Sequence, residues 1–246
     1  MDGLTFLGII IAFAAVIGGN YLEGGAWQLL LNGPAALIVL GGTIGAAIIQ
    51  TPKSHLLRAL SLFVWMIKPP KLLHKATINQ FINWANIARK RGLLGLDTVI
   101  SSEKNPFVKK GLQMLVDGVA ADKIRRILEH DIELLRERDQ SAASFYESMG
   151  GYAPTIGIIG AVIGLIHVMG HIGNPEALGP ALAIAFLATL YGVSFANLLC
   201  LPVANKLRAH IDRYAVWQHL VVEGMVAIAD GENPKNIDAK LSGYHF

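Results

Sequence analysis

The fold is decided by residues 151–203, which read GYAPTIGIIGAVIGLIHVMGHIGNPEALGPALAIAFLATLYGVSFANLLCLPV. They form two apolar runs joined by a short turn at residues 173–176, and neither run contains Asp, Glu, Lys or Arg. A helix of about 20 apolar residues is long enough to cross a bilayer. The stretch therefore predicts two transmembrane helices that form a hairpin.

Small residues recur every third or fourth position along both predicted helices. They are Ala153, Gly157, Gly160, Ala161 and Gly164 in the first, and Ala181, Ala185, Thr189, Gly192 and Ala196 in the second. In lipid, helices associate through close packing and hydrogen bonds, and small side chains let their backbones approach. We therefore expect this hairpin to contact other helices through these faces.

The composition indicates a membrane protein, with 53% hydrophobic residues, 16% charged residues and a mean hydropathy of +0.46. Two further apolar runs, residues 3–22 and 34–50, precede the hairpin. A cleaved signal peptide is the alternative for the first run. The absence of Lys and Arg at its start, and the second run soon after it, favour a second helical hairpin.

Charge predicts the orientation of the four spans. Every Lys and Arg lies either between residues 52 and 150 or after residue 203. The positive-inside rule then places these segments and both termini in the cytoplasm. The predicted segments are spans one and two in residues 1–51, a helical cytoplasmic domain in 52–150, spans three and four in 151–204, and a C-terminal helix and tail in 205–246. The fold class is an all-α membrane protein with four transmembrane helices.

Amphipathic periodicity predicts the helices of the cytoplasmic part. The predicted helices cover residues 56–67, 78–91, 106–118, 122–149 and 205–230. The fourth of these is expected to continue into the third span with a break at Gly150 and Gly151, and to pack against the fifth as a stalk.

Motifs that would indicate an enzyme are absent from the sequence. There is no nucleotide-binding glycine loop, no nucleophile elbow and no zinc-ligand spacing. His167 and His171 are the nearest approach to a metal pair, but two histidines near the end of a span are more often polar interface residues. The lone cysteine, Cys200, lies in an apolar run. No enzymatic activity, cofactor, bound metal or nucleic-acid partner is expected, and membrane lipid is the expected surrounding.

Thr189 is the most informative polar residue within the spans. Its hydroxyl can bond back to the carbonyl four residues earlier, or it can line a narrow polar path between helices. A cation path normally includes an ionisable group at membrane depth, and these spans contain no carboxylate. If the protein moves protons or sodium ions, a partner chain must therefore supply the acid.

Several separated segments resemble one known family. They are ARKRGLLGLD at residues 88–97, LVDG at 115–118, TLYG at 189–192 and DGENP at 230–234, together with Pro154 and Pro202. With the four spans, they resemble the MotA family of flagellar motor stators, most closely its MotC-type members, over nearly the whole chain. The resemblance implies a pentameric ring in the bacterial inner membrane, around a dimer of MotB-type single-span subunits whose transmembrane Asp carries the ion.

The resemblance also implies roles for individual residues. Arg89, Lys90 and Asp97 fall at the positions that face the rotor protein FliG, and Asp97 is shorter than the Glu more usual there. Pro154 and Pro202 match the two prolines thought to couple ion passage to movement.

The resemblance also bears on the coupling ion. Sodium-driven relatives are similar but carry a threonine where this chain has Ala161, opposite Thr189. Because Ala161 offers no oxygen ligand, a proton is the expected coupling ion and sodium the alternative. A subunit resembling the TolQ and ExbB energising proteins, or a membrane scaffold, is the alternative function, although those proteins carry three spans. A membrane enzyme using the two histidines is the third class.

Overall fold

The computed structural model describes residues 3–70, 72, 74–170, 173 and 175–244. It is all-helical, with 87% helix and no strand among the described residues. The α-helices are α1 Gly3–Leu22, α2 Gly33–Gln50, α3 Lys53–Ile67, α4 His74–Arg91, α5 Asp97–Ile100, α6 Pro106–Val116, α7 Ala121–Gly170, α8 Pro175–Ser194, α9 Leu201–Ala229 and α10 Pro234–Leu241. Short 3-10 helices lie at Trp27–Leu30 and Leu93–Leu96, and π-helical turns at Leu37–Gly41 and Phe195–Cys200.

The four predicted spans are confirmed as four helices long and apolar enough to cross a membrane. The predicted amphipathic helices are confirmed as α3, α4, α6, the first part of α7, and α9. The predicted break at Gly150 and Gly151 is wrong, because α7 runs without interruption from Ala121 to Gly170. Gly150 serves packing instead, since a methyl group added there would lie 2.6 Å from Cδ2 of Leu201.

The chain divides into two compact units. The first unit comprises Met1–Pro69 and Asp139–Ala209, and it holds the apolar helices. The second unit comprises Pro70–Arg138 and His210–Phe246. Helices α7 and α9 each contribute residues to both units.

Within the first unit, α7 and α8 pack closely along their small residues. A methyl group added at Gly164 would lie 2.9 Å from both Cα and Cβ of Ala185. One added at Gly192 would lie 3.1 Å from Cα of Gly157, which is tighter than ordinary van der Waals contact. Helix α2 packs against the same pair, since Val39 and Ala188 belong to one buried cluster. The small-residue faces therefore join the two helices of the hairpin to each other.

A π-helical turn, Phe195–Cys200, precedes Pro202 in the fourth span. Proline has no N–H, and in a regular α-helix its ring clashes with the carbonyl four residues earlier. A π turn widens the helix locally, so the chain passes Pro202 without ending, and α9 continues to Ala229.

Hydrogen bonds join α3 to α7 within the first unit. The Arg58 guanidinium donates two hydrogen bonds to the Asp139 carboxylate, at 2.8 and 2.6 Å. Asp139 is 6% exposed, so the two-fold contact compensates a buried charge. The Tyr146 hydroxyl donates to the Ala59 carbonyl at 3.0 Å. These bonds fix α3 against α7.

The second unit has its own apolar core, formed by α4, α6, α10 and parts of α7 and α9. Its fully buried members include Phe81, Leu112, Leu128, Leu220 and Met225. Ion pairs between α7 and α9 surround the core, among them Arg136 with Asp212. The predicted pairing of these two helices is therefore confirmed.

Candidate functional site

The hairpin of α7 and α8 places Thr189 beside a close backbone contact between its two helices. A methyl group added at Gly157 would lie 2.9 Å from the Ala188 carbonyl oxygen and 3.4 Å from Cα of Thr189. Thr189 is half-buried, and its hydroxyl forms no hydrogen bond to another described residue. By contrast, the Thr51 hydroxyl bonds back to the Ala47 carbonyl at 2.7 Å. The Thr189 hydroxyl thus forms no hydrogen bond to a described carbonyl of its own helix.

Ala161 lies on the same face of α7, between the contacts made by Gly157 and Gly164. It is half-buried and brings only a methyl group to this part of the hairpin. None of the four spans contains Asp or Glu. Next to the Gly157 contact the hairpin therefore offers the Thr189 hydroxyl and close-packed backbone, and its two spans contain no carboxylate.

Tyr191, two residues beyond Thr189, holds the outer connection against α8. Its hydroxyl donates to the Leu30 carbonyl and accepts the N–H of Asn32 at 2.8 Å. The Asn32 side chain in turn accepts the N–H of Ala35 at 2.9 Å and so caps α2. The TLYG segment served only as part of a family resemblance and predicted no role for Tyr191, because its partners lie about 160 residues earlier.

The two prolines lie in different local settings. Pro154 stands inside the continuous helix α7, next to the fully buried Ala153. Pro202 is exposed and follows the π-helical turn. It lines a groove of about 360 Å³ between α1 and the fourth span, whose wall also includes Ile9 and Asn197. Pro154 therefore lies within an uninterrupted α-helix, whereas Pro202 follows a local departure from α-helical geometry.

The predicted rotor-facing charges come together at one end of the second unit. Arg89 and Lys90 lie in the last turn of α4, and Asp97 begins α5. Between them, Gly92 takes a φ of +70°, which reverses the chain at little steric cost. Gly95 then packs against the side chain of Arg91. The turn therefore folds back on α4 and brings the two cations and the carboxylate to the same end.

These three charges are exposed and form no ion pair with any other described residue. Some other charges in the second unit are paired, as Lys110 is with Asp131. The Arg125 guanidinium bonds to Glu223 and holds the pKa of that carboxyl below its usual range. The cluster of Arg89, Lys90 and Asp97 is thus available to a partner.

The two histidines are not brought into a metal site by the described residues. His167 is exposed, and its Nδ1 lies 3.0 Å from the Ile163 carbonyl of its own helix. His171 lies outside the described residues. Within the described part of the chain, no three His, Cys, Asp or Glu side chains are grouped as metal ligands would be.

Fold and site together define a class: an all-helical membrane subunit with a close-packed hairpin, no acid of its own in the bilayer, and an exposed charge cluster on a separate helical unit. Comparison with known proteins agrees with this class. Residues 99–217 match the MotA/TolQ/ExbB proton channel family, and residues 6–91 match the motility protein A N-terminal family.

Individual relatives extend over nearly the whole chain. Motility protein A of Bacillus subtilis is 38% identical over 99% of this chain and 91% of its own length. Chemotaxis protein PomA of Vibrio alginolyticus is 35% identical over 99% of this chain and 95% of its own.

Solved structures agree over the same length. The C. jejuni MotAB structure has a TM-score of 0.94 at 32% identity and covers 100% of this chain and 96% of its own. The flagellar MotAB stator complex from Bacillus subtilis has a TM-score of 0.88 at 37% identity, covering 96% and 92%.

The chain therefore belongs to the MotA/TolQ/ExbB proton channel family, as a motility protein A member. It is a stator subunit of the flagellar motor that forms an ion channel in the inner membrane. The structure does not test the roles assigned to Thr189, Ala161, the two prolines or the charge cluster, and these stay predictions.

Proposed function

We propose that the stator built from this chain is driven by protons, and that five copies surround two MotB-type single-span partners. The observation that supports this is the lack of any carboxylate in the four spans. An ionisable group at membrane depth is needed for a proton relay, so an Asp of the partner carries the proton. Two solved relatives are MotAB structures, which supports a MotB-type partner here.

The hairpin favours the proton over sodium as the coupling ion. Thr189 contributes one hydroxyl, whereas Ala161 contributes none. A partly dehydrated sodium ion needs several oxygen ligands, because it is a hard cation. A proton needs only the partner's carboxylate and a route for water, for which Thr189 provides one polar wall.

Proton passage reaches the rotor through the inner helical part of the chain. Pro154 and Pro202 interrupt backbone hydrogen bonding in the two helices that extend from the hairpin, so they act as the points where those helices bend. Arg89, Lys90 and Asp97 meet opposite charges on the rotor protein FliG. Both termini lie in the cytoplasm, as the distribution of Lys and Arg indicates.

The test is motility of a stator-deficient bacterium that expresses this chain with its MotB-type partner. Swimming speed is measured over a series of external sodium concentrations at fixed pH, and again after a protonophore collapses the proton gradient. We expect speed to be independent of sodium and lost with the proton gradient. Arrest in sodium-free medium that recovers on adding sodium would show that groups other than Ala161 complete a sodium site.

A comparison of two variants tests whether Thr189 itself takes part in ion passage. Thr189→Ala removes the hydroxyl beside Gly157 and should reduce speed without changing the amount of complex in the membrane. Ser194→Ala removes a hydroxyl from the same helix and serves as the matched control. Equal speeds for the two variants would remove Thr189 from the ion path.

A further inference from the structure

A cavity of about 210 Å³ opens in the second unit, beside the end of α4 that carries the exposed charges. Small and aliphatic side chains form its walls: Ala85, Ala88, Leu93, Ile228 and Ala229. Arg89 and Glu232 are the charged residues that line it. The cavity is therefore an apolar recess with a cation and a carboxylate beside it.

Two chain reversals leave the cavity open. Gly92 has a φ of +70° and Gly231 a φ of +69°, and both line the cavity. Nothing lies within 4 Å of a methyl group added at either glycine. The space beside both glycines is therefore not filled by other described residues of the chain.

An exposed leucine lies next to this cavity in the sequence. Leu94 is 74% exposed, whereas the next most exposed large apolar side chain described in the second unit, Leu134, is 52% exposed. Leu94 follows Gly92 and Leu93, and lies between the cations of α4 and Asp97. Leu94 adjoins in sequence an apolar cavity and exposed charges, and a contact surface has the same arrangement of an apolar centre with polar groups around it.

We infer that the cavity is a socket for one apolar side chain, of leucine to phenylalanine size, on a helix of the rotor protein. The inference rests on the proposed rotor contact and specifies its chemistry. A carboxylate on that helix, near the inserted side chain, pairs with Arg89. Leu94 covers the neighbouring apolar surface of the helix.

The expected contributions to affinity favour a buried apolar side chain over charges alone as the main source of binding. An exposed ion pair changes affinity by no more than about fivefold, because water and salt screen it. Burying one large apolar side chain changes affinity by about 10- to 100-fold. The charges then set the approach and orientation of the rotor helix, and the socket provides most of the retention.

The experiment measures binding of purified rotor protein to the full-length chain in complex with its MotB-type partner, at low and high salt. Ala88→Leu fills the socket, and we expect it to weaken binding by about 10- to 100-fold with an unchanged salt dependence. Ala76→Leu adds the same atoms to an exposed position of the same helix and should bind as the wild type does. Leu94→Ser should weaken binding by about tenfold, and Leu134→Ser should not.

A reversible block separates loss of the socket from misfolding. Ala88→Cys is labelled in the folded complex with a benzyl thiosulfonate and then released by reductant, while the native Cys200 is buried. We expect the label to abolish tight binding and the reductant to restore it. Wild-type affinity for both Ala88→Leu and the labelled Ala88→Cys would overturn the socket.

The outcomes distinguish this inference from the proposed rotor contact. If Arg89→Glu weakens binding and reduces its salt dependence while Ala88→Leu has no effect, the rotor contact stands and the socket is refuted. If the wild-type complex does not bind the rotor protein at all, the rotor contact fails and the socket fails with it. If Ala88→Leu instead changes the number of copies in the complex, the occupant is Leu94 of a second copy, and the inference is overturned.

Discussion

Replacing Gly157 by alanine tests whether the hairpin depends on direct backbone contact. The added methyl group would lie 2.9 Å from the Ala188 carbonyl oxygen, 3.3 Å from Cα of Gly192 and 3.4 Å from Cα of Thr189. All three atoms belong to the backbone of the fourth span, so no side chain can rotate away. The two helices must separate by a few tenths of an ångström to accept one methyl group.

The change in stability caused by Gly157→Ala has two opposing contributions. Alanine in a helix is favoured over glycine by about 1 kcal/mol. Overpacking a well-packed interior costs about 1 to 3 kcal/mol. Gly151 provides the matched control on the same helix, since nothing lies within 4 Å of a methyl group added there. We expect Gly157→Ala to be less stable than Gly151→Ala by about 1 to 3 kcal/mol.

The assay is heat inactivation of the complex with its MotB-type partner, followed by size on a native gel after each temperature. For a chain of this size 1 kcal/mol corresponds to about 2 to 4 °C, so the two midpoints should differ by about 2 to 12 °C. Swimming speed should fall for Gly157→Ala, because Thr189 moves with the displaced helix. Equal midpoints and equal speeds would refute direct backbone contact as the basis of the hairpin.

Three further predictions concern polar groups. Because Arg125 lowers the pKa of Glu223, this carboxylate stabilises the folded state above its usual pKa near 4.5, and the stabilisation is lost as the pH falls through the lowered value. Glu223→Gln should cost about 1 to 3 kcal/mol of stability at pH 7 and should make the loss of stability in acid less steep, as measured by melting temperature against pH. Tyr191→Phe removes both hydrogen bonds to the outer connection and should cost about 1 to 3 kcal/mol of stability. Proteolysis of residues 23–32 should become faster, and an unchanged rate would contradict the contact. Arg89→Glu and Asp97→Lys should each reduce torque modestly and together reduce it more, with recovery on charge reversal in the rotor protein; no recovery by any reversal would return both to ordinary solvated surface.

Much of the fold could be predicted from the sequence because a bilayer restricts the chain. Every backbone polar group in lipid must be satisfied within its own segment, so a long run without charge is a helix. The four spans agree with the structure for this reason, and α3 and α4 end at the predicted residues, Ile67 and Arg91. Glycine was a weaker signal, since Gly150 marks close packing where a break was expected.

The candidate site was predictable only in part. The sequence placed Thr189 on a small-residue face, and the structure puts it beside Gly157. The hydrogen bonds of Tyr191 depend on residues far away in the chain, and no local pattern indicates them. The π-helical turn before Pro202 was not expected either, since a proline alone predicts a kink or an end.

The sequence by itself determined the class, the spans and the distribution of charge, because hydropathy, length and charge act locally on each segment. Only the tertiary structure decided which small residues touch, that the carboxylate of Asp139 is held by Arg58, and that Arg89 borders an open apolar cavity. Those features join residues of different helices, 81 positions apart in the case of Arg58 and Asp139, and their energies arise only when those helices pack.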